Sequence, residues 1–200
     1  MRYGANTLIW AESFGPAQFP ILPRVKSAGL DGVEIPIFHP AGLQSSEIRR
    51  ELERMELACT ACTVMPNGLS LGDRDAQVRH RARTHVRDCI HAAVEAGVSL
   101  LAGPIYTPVG FFTGRRRSVD EWNRTVDSWR ELAPAVEAAG IQIALEPLNR
   151  FETYFLNTVE DAAALCDAIG SPSVGMLIDT FHANIEEKSI GAALHRAGGI

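Results

Sequence analysis

Two apolar runs in this chain end on a carboxylate. "IALE" (143–146) places Glu146 after Ile143, Ala144 and Leu145, and "VGMLID" (174–179) places Asp179 after an equally apolar stretch. An acidic side chain that closes a buried run costs free energy unless it meets a cation, a proton or a dense set of donors. Consecutive strands joined by right-handed crossovers are neighbours in a parallel sheet. Two such carboxylates would therefore repel, and a divalent cation between them removes the repulsion. Oxygen donors without cysteine suit Mn²⁺ or Mg²⁺, and one added imidazole admits Co²⁺ or Zn²⁺. A carboxylate at a single strand end can instead pair with an arginine or cap a turn, and Arg150 is close enough to Glu146 to be such a partner.

Two further residues belong with this pair. His182 follows Asp179 by three positions and can be a metal ligand, a hydrogen-bonding group for a substrate or a structural imidazole. Glu152 lies in the loop "NRFETYFLN" (149–157) between Phe151, Tyr154 and Phe155. That setting reads as a walled loop over a barrel mouth, where a carboxylate can accept hydrogen bonds from a polyol. The other histidines carry less. His80, His85 and His91 sit on an arginine-rich segment that reads as a solvated outer helix, and His39 and His195 have no acidic strand-end neighbour. Cys59 and Cys62 form a C-x-x-C inside "LACTACTVM", which reads as a strand. Residues three apart on a strand face opposite sides, so with Cys89 and Cys166 they read as buried small hydrophobes.

The elements that must position these residues alternate along the chain. Strand-like runs fall at 3–10, 32–37, 57–65, 99–106, 141–148 and 174–182, and helical runs at 17–29, 44–56, 74–97, 118–139, 158–169 and 189–197. Ser45 or Ser46 can cap the second helix, "SVDE" (118–121) is a capping box, and "TVED" (158–161) repeats the box with Asp. "AGL" (28–30), "AGV" (96–98) and "AGI" (139–141) each place a glycine where a helix closes and the next strand begins. Such punctuation spells a series of βα units. Strand one is followed by "AESFGPAQFP", with no glycine-rich phosphate loop, so a doubly wound dinucleotide fold is disfavoured. Polar residues gather at strand ends instead: Glu34, Asn67, Tyr106, Glu146, Asp179 and His182. Trp10, Phe14, Phe38, Phe111 and Phe112 also fall there and can shape a pocket or simply pack. In a (β/α)8 barrel those ends converge on one face. The α/β fold expected is thus a TIM barrel with about six of its eight βα units present, a single incomplete domain over residues 1–200.

Formal net charge is −5, from 19 basic and 24 acidic residues, which gives no electrostatic reason to expect a nucleic-acid or membrane partner. The run Arg115–Arg117 is the only basic cluster and reads as a solvated loop. No apolar run reaches membrane-spanning length, so a cytoplasmic location is expected. An open barrel would leave strands one and six with unpaired edges, which favours a homo-oligomer.

With these residues in view, the sequence resembles the ketose 3-epimerases (D-tagatose 3-epimerase, D-psicose epimerase) among the xylose-isomerase-like sugar phosphate isomerase/epimerase barrels. "EPLNRFETYFLNT" (146–158) and "MLIDTFHANIEE" (176–187) carry the likeness, supported by "GLDGVEIP" (29–36) and "AGPIYTPVG" (102–110). The resemblance implies a free ketose as substrate and Mn²⁺ or Co²⁺ as cofactor. It implies that Glu146 is a metal ligand and one of two catalytic bases, that Asp179 is a metal ligand, and that Glu152 and His182 bind the sugar. The reaction implied is epimerisation at C3 through an enediolate.

The family takes a further His ligand, the second Glu and a substrate-binding Arg from strands after the sixth. The 200-residue sequence stops at "LHRAGGI", where a seventh strand would begin, so the expectation is little or no epimerase activity for this exact chain. Related sugar or polyol enzymes of the same barrel, such as hydroxypyruvate isomerases and inosose dehydratases, are the alternative, as is a non-catalytic truncated binding module. An apurinic endonuclease on this barrel is disfavoured by the acidic charge.

Overall fold

Three helices close where the sequence places a left-handed glycine. Gly29, Gly97 and Gly140 have φ of 78°, 76° and 65°, and each hands the chain to a strand. The computed structural model describes residues 1–198; residues 199 and 200, with which the expected domain ended, lie outside the described part. The strands are β1 (Gly4–Asn6), β2 (Gly32–Pro36), β3 (Ala58–Cys62), β4 (Leu100–Gly103), β5 (Gln142–Leu145) and β6 (Val174–Met176). They form one parallel sheet in the order β1-β2-β3-β4-β5-β6. A doubly wound sheet reverses its order at a switch point. This one never does, as a barrel wall requires.

The helices are α1 (Leu22–Ser27), α2 (Ser45–Met55), α3 (Ala76–Glu95), α4 (Val119–Ala139), α5 (Val159–Ile169), α6 (Thr180–Glu186) and α7 (Ile190–Ala197). Their apolar faces bury Leu22, Ile48, Val86, Trp129, Leu132 and Leu165 against the outward side chains of the sheet.

Several boundaries differ from the sequence expectation, each for a local reason. The first helix is split: Pro16–Ile21 is a 3₁₀ segment containing Pro20, and only the residues after it are α-helical. Neither Ser45 nor Ser46 caps α2; Gln44 stands at the cap without a side-chain bond, and Ser46 Oγ donates to Glu95 instead. The capping box at Ser118 forms in full. At Thr158 only one half forms, because the Asp161 carboxylate turns to Arg117. Arg117 is therefore no solvated residue: it clamps Asp161 at 2.9 and 2.7 Å, donates to the Phe155 carbonyl and lies 4.6 Å over the Trp122 ring. His85 is likewise half-buried against Cys89, and burial lowers its pKa.

The strands stop early at both functional ends. The Asn6 side chain accepts from Leu8 N–H and starts a 3₁₀ turn, so β1 is three residues long. The Asp179 side chain accepts from Phe181 N–H and starts α6, a helix that the strand-like run 174–182 concealed. Short polar side chains that capture the backbone two residues on compete with a sheet ladder.

Gly103 ends β4 with φ of 134°, and a Cβ there would overlap the Thr63 carbonyl oxygen. Its own carbonyl accepts from Glu146 N–H at 3.0 Å. Gly103→Ala is expected to destabilise the fold by at least about 3 kcal/mol, because both backbone strain and overlap must be relieved. Urea denaturation measures it, and a loss under about 1 kcal/mol would contradict this account.

Candidate active site at the barrel mouth

Glu146 follows β5 directly, and Asp179 caps α6 just beyond β6. The Leu177 N–H donates to the Leu145 carbonyl at 3.0 Å, so the two segments stay paired past the strands and deliver both carboxylates to one place. His182 lies in the first turn of α6 and is buried. Acidic oxygens of Glu146 and Asp179 and a ring nitrogen of His182 all lie within 4.8 Å of one another. The buried phenol of Tyr106 donates to the Glu146 carbonyl at 2.9 Å and fixes the backbone beneath the carboxylate.

The Glu146 carboxyl is pushed up from 4.5 to about 7. Burial is the largest cause, followed by the charges of Asp179, Glu34 and Glu152. Asp179 spends one oxygen on its cap, accepting from Phe181 N–H at 2.7 Å, and turns the other towards His182.

The hydrogen bonds fix the tautomer of His182. Asn149 Oδ1 accepts from Phe151 N–H at 2.9 Å, so its amide nitrogen faces the other way. That nitrogen lies 2.9 Å from His182 Nδ1, and the Asn149 backbone N–H donates to the same Nδ1 at 3.2 Å. Nδ1 is thus an acceptor, and the proton of the neutral ring sits on Nε2. Nε2 lies 3.8 Å from Glu146 Oε1 and 3.9 Å from Asp179 Oδ2, pointing an N–H into the space between them. A ligating nitrogen must be deprotonated. His182 is therefore built to donate, and of the three grouped residues those that offer a cation a free donor are Glu146 and Asp179.

Glu152 hangs from the same asparagine. Asn149 Nδ2 donates to Glu152 Oε1 at 2.7 Å, and Gly110 N–H donates to the Glu152 carbonyl at 2.7 Å. The loop carboxylate is half-buried rather than solvated. The alternative Arg150–Glu146 pair does not form; Arg150 holds Glu186 by two side-chain bonds of 2.9 Å. Asn67 is exposed and lies outside the cavity lining, and Phe14 is part of the core. Phe38 lines the cavity, which measures about 480 Å³ and also takes in Asn6, Glu34, Cys62, Glu146 and Asp179. Cys59 and Cys62 face opposite sides of β3, and burial first, then the Glu34 charge, pushes both thiols up to about 12. Asn149 went unnoticed in the sequence; its position between carboxylates at 146 and 152 was the available signal.

Comparison with known proteins agrees with this geometry. Residues 22–198 match the xylose isomerase-like TIM barrel family. A probable ketose 3-epimerase from Synechocystis sp. is 31% identical over 197 residues, covering 98% of this chain and 69% of that protein. A D-psicose 3-epimerase from Ruminiclostridium cellulolyticum is 28% identical, covering 99% of this chain and 69% of that protein. Among solved structures, a D-allulose 3-epimerase from Methylomonas sp. in complex with D-allulose superposes with a TM-score of 0.93 at 26% identity, covering all of this chain and 69% of that one. Among the described residues no helix is long and apolar enough to cross a membrane. The chain belongs to the xylose isomerase-like TIM barrel family, within which it is an isomerase-class homologue of the ketose 3-epimerases.

Proposed function

We propose that the reaction of this barrel is divalent-metal-dependent epimerisation at C3 of a free ketose of the D-tagatose, D-fructose or D-psicose type, and that the described residues supply the first of its two bases. The observation that supports it most is the convergence of Glu146, its carboxyl raised to about 7, with the Asp179 oxygen and the His182 N–H. A base poised near neutral pH can both take and return a proton. In this reading Glu146 exchanges the proton at C3. His182 Nε2–H donates to a sugar oxygen, and Glu152 accepts from a hydroxyl.

The two carboxylate oxygens fit a hard cation, Mn²⁺ or Mg²⁺, and Co²⁺ is the option the family likeness adds. Bound between Glu146 and Asp179, such a cation would supply Lewis-acid polarisation of the substrate oxygens. Among the described residues the cavity lining carries Glu34, Glu146 and Asp179 and no Lys or Arg, a setting that suits hydroxyl groups. The reading extends to one domain that associates with copies of itself.

The test is solvent exchange. In D₂O with Mn²⁺, deuterium is expected to enter C3 of D-fructose, read by proton NMR. Exchange needs only Glu146, whereas net inversion to D-psicose also needs a base on the opposite face. No metal-dependent exchange into any of the three ketoses would refute the proposal.

A further inference from the structure

One polar row crosses the inner face of the sheet. Backbone register aligns Asn6 of β1 with Glu34 of β2 and Thr60 of β3. Asn6 Nδ2 donates to Glu34 Oε1 at 2.7 Å, and Thr60 Oγ1 donates to Glu34 Oε2 at 3.2 Å. The Asn6 amide is itself oriented, because its oxygen accepts from Leu8 N–H at 2.8 Å. Glu34 is half-buried, and among the described residues it has no ion-pair partner.

A carboxylate accepts about four hydrogen bonds. Asn6 and Thr60 supply one to each oxygen, which leaves unused acceptor capacity on both. Glu34 lines the same cavity as Glu146 and Asp179. In the strand order β2 and β5 are separated by β3 and β4, so in a curled wall Glu34 faces the site from another side. Its charge is felt at Glu146, where it contributes to the raised carboxyl. A half-buried anion without a cation is stabilised by neutral donors, and a sugar chain offers hydroxyls.

We infer that Glu34, held by Asn6 and Thr60, accepts hydrogen bonds from the hydroxyls beyond C4 and selects ketoses long enough to reach it. The inference rests on the C3 reading above, which fixes one end of the sugar at Glu146 and extends the rest across the cavity. Glu34 is thus a specificity-determining contact rather than part of the proton transfer.

The test compares D-fructose with D-erythrulose, a ketotetrose that has C3 but lacks the more distant hydroxyls. Binding to the Mn²⁺-loaded protein is measured by calorimetry. Glu34→Gln is expected to weaken D-fructose about tenfold, the worth of a charged hydrogen bond, and to leave D-erythrulose unchanged. Thr60→Val keeps the charge and removes one donor; it is expected to weaken D-fructose about threefold with the same selectivity, and it decides the matter should Glu34→Gln not fold. Equal loss for both sugars, or no loss for either, overturns the inference. Selective loss without C3 exchange in the native protein would keep the Glu34 contact and discard the C3 reading; exchange with unselective variants would do the reverse.

Discussion

Glu146→Gln is expected to lower metal-dependent C3 exchange by about 10²–10⁴-fold and, in the metal-free protein above pH 7, to stabilise the fold. Both effects come from one carboxyl. Its proton equilibrium lies at about 7 in the folded chain against 4.5 in the free side chain, because burial and three neighbouring carboxylates penalise its charge. The folded state therefore holds this proton more tightly than the unfolded state. That advantage is complete below about pH 4.5 and is lost as pH rises through about 7. The displacement corresponds to about 3 kcal/mol, so metal-free protein should lose stability between pH 5 and 8 by about 1–3 kcal/mol. Glutamine keeps the shape, carries no charge and should flatten that dependence. The measurements are NMR exchange and urea melts at several pH values in chelator. A variant that exchanges at the native rate removes Glu146 from proton transfer. A variant with the native pH profile means that Glu146 is not the strained group. Such a residue destabilises its own fold in exchange for function.

The barrel was legible because helix closure is written locally. Gly29, Gly97 and Gly140 mark three crossovers, and the Ser118 box marks a fourth helix start. The strand ends were not legible, because Asn6 and Asp179 end their strands by side-chain bonds that hydrophobic patterning does not encode. Arg117 misled, and the alternative partner for Arg150 was not taken up, for a related reason. Their partners, Asp161 and Glu186, lie 44 and 36 residues away, and only the fold chooses among acids at such distances. Within the site, Glu146 and Asp179 stood out because a carboxylate interrupts an apolar run. The role of His182 did not, since its tautomer is set by Asn149, 33 residues upstream. Glu34 showed as a polar strand end, but its donors come from the register of two neighbouring strands.

Asp179 allows the metal reading to be separated from the structural one. As a cap it needs only an oxygen that accepts from Phe181 N–H, and asparagine supplies one as well as aspartate does. As a ligand it needs its negative charge. At about pH 4.5, where Glu146 stays protonated in the folded chain and its repulsion by Asp179 does not act, Asp179→Asn should therefore leave metal-free stability within about 0.5 kcal/mol of native, whereas Asp179→Ala should cost about 1 kcal/mol through loss of the cap. Mn²⁺ affinity should fall by more than about 100-fold in Asp179→Asn, since even partners that merely orient a ligand are worth up to that much. The same change removes the largest charge acting on Glu146, so the carboxyl there should fall from about 7 towards the ordinary range. Calorimetric titration with Mn²⁺ and carboxyl-labelled NMR read the two effects independently. Native metal affinity in Asp179→Asn would leave Asp179 as a helix cap alone, and the cation would then need a donor set that excludes it.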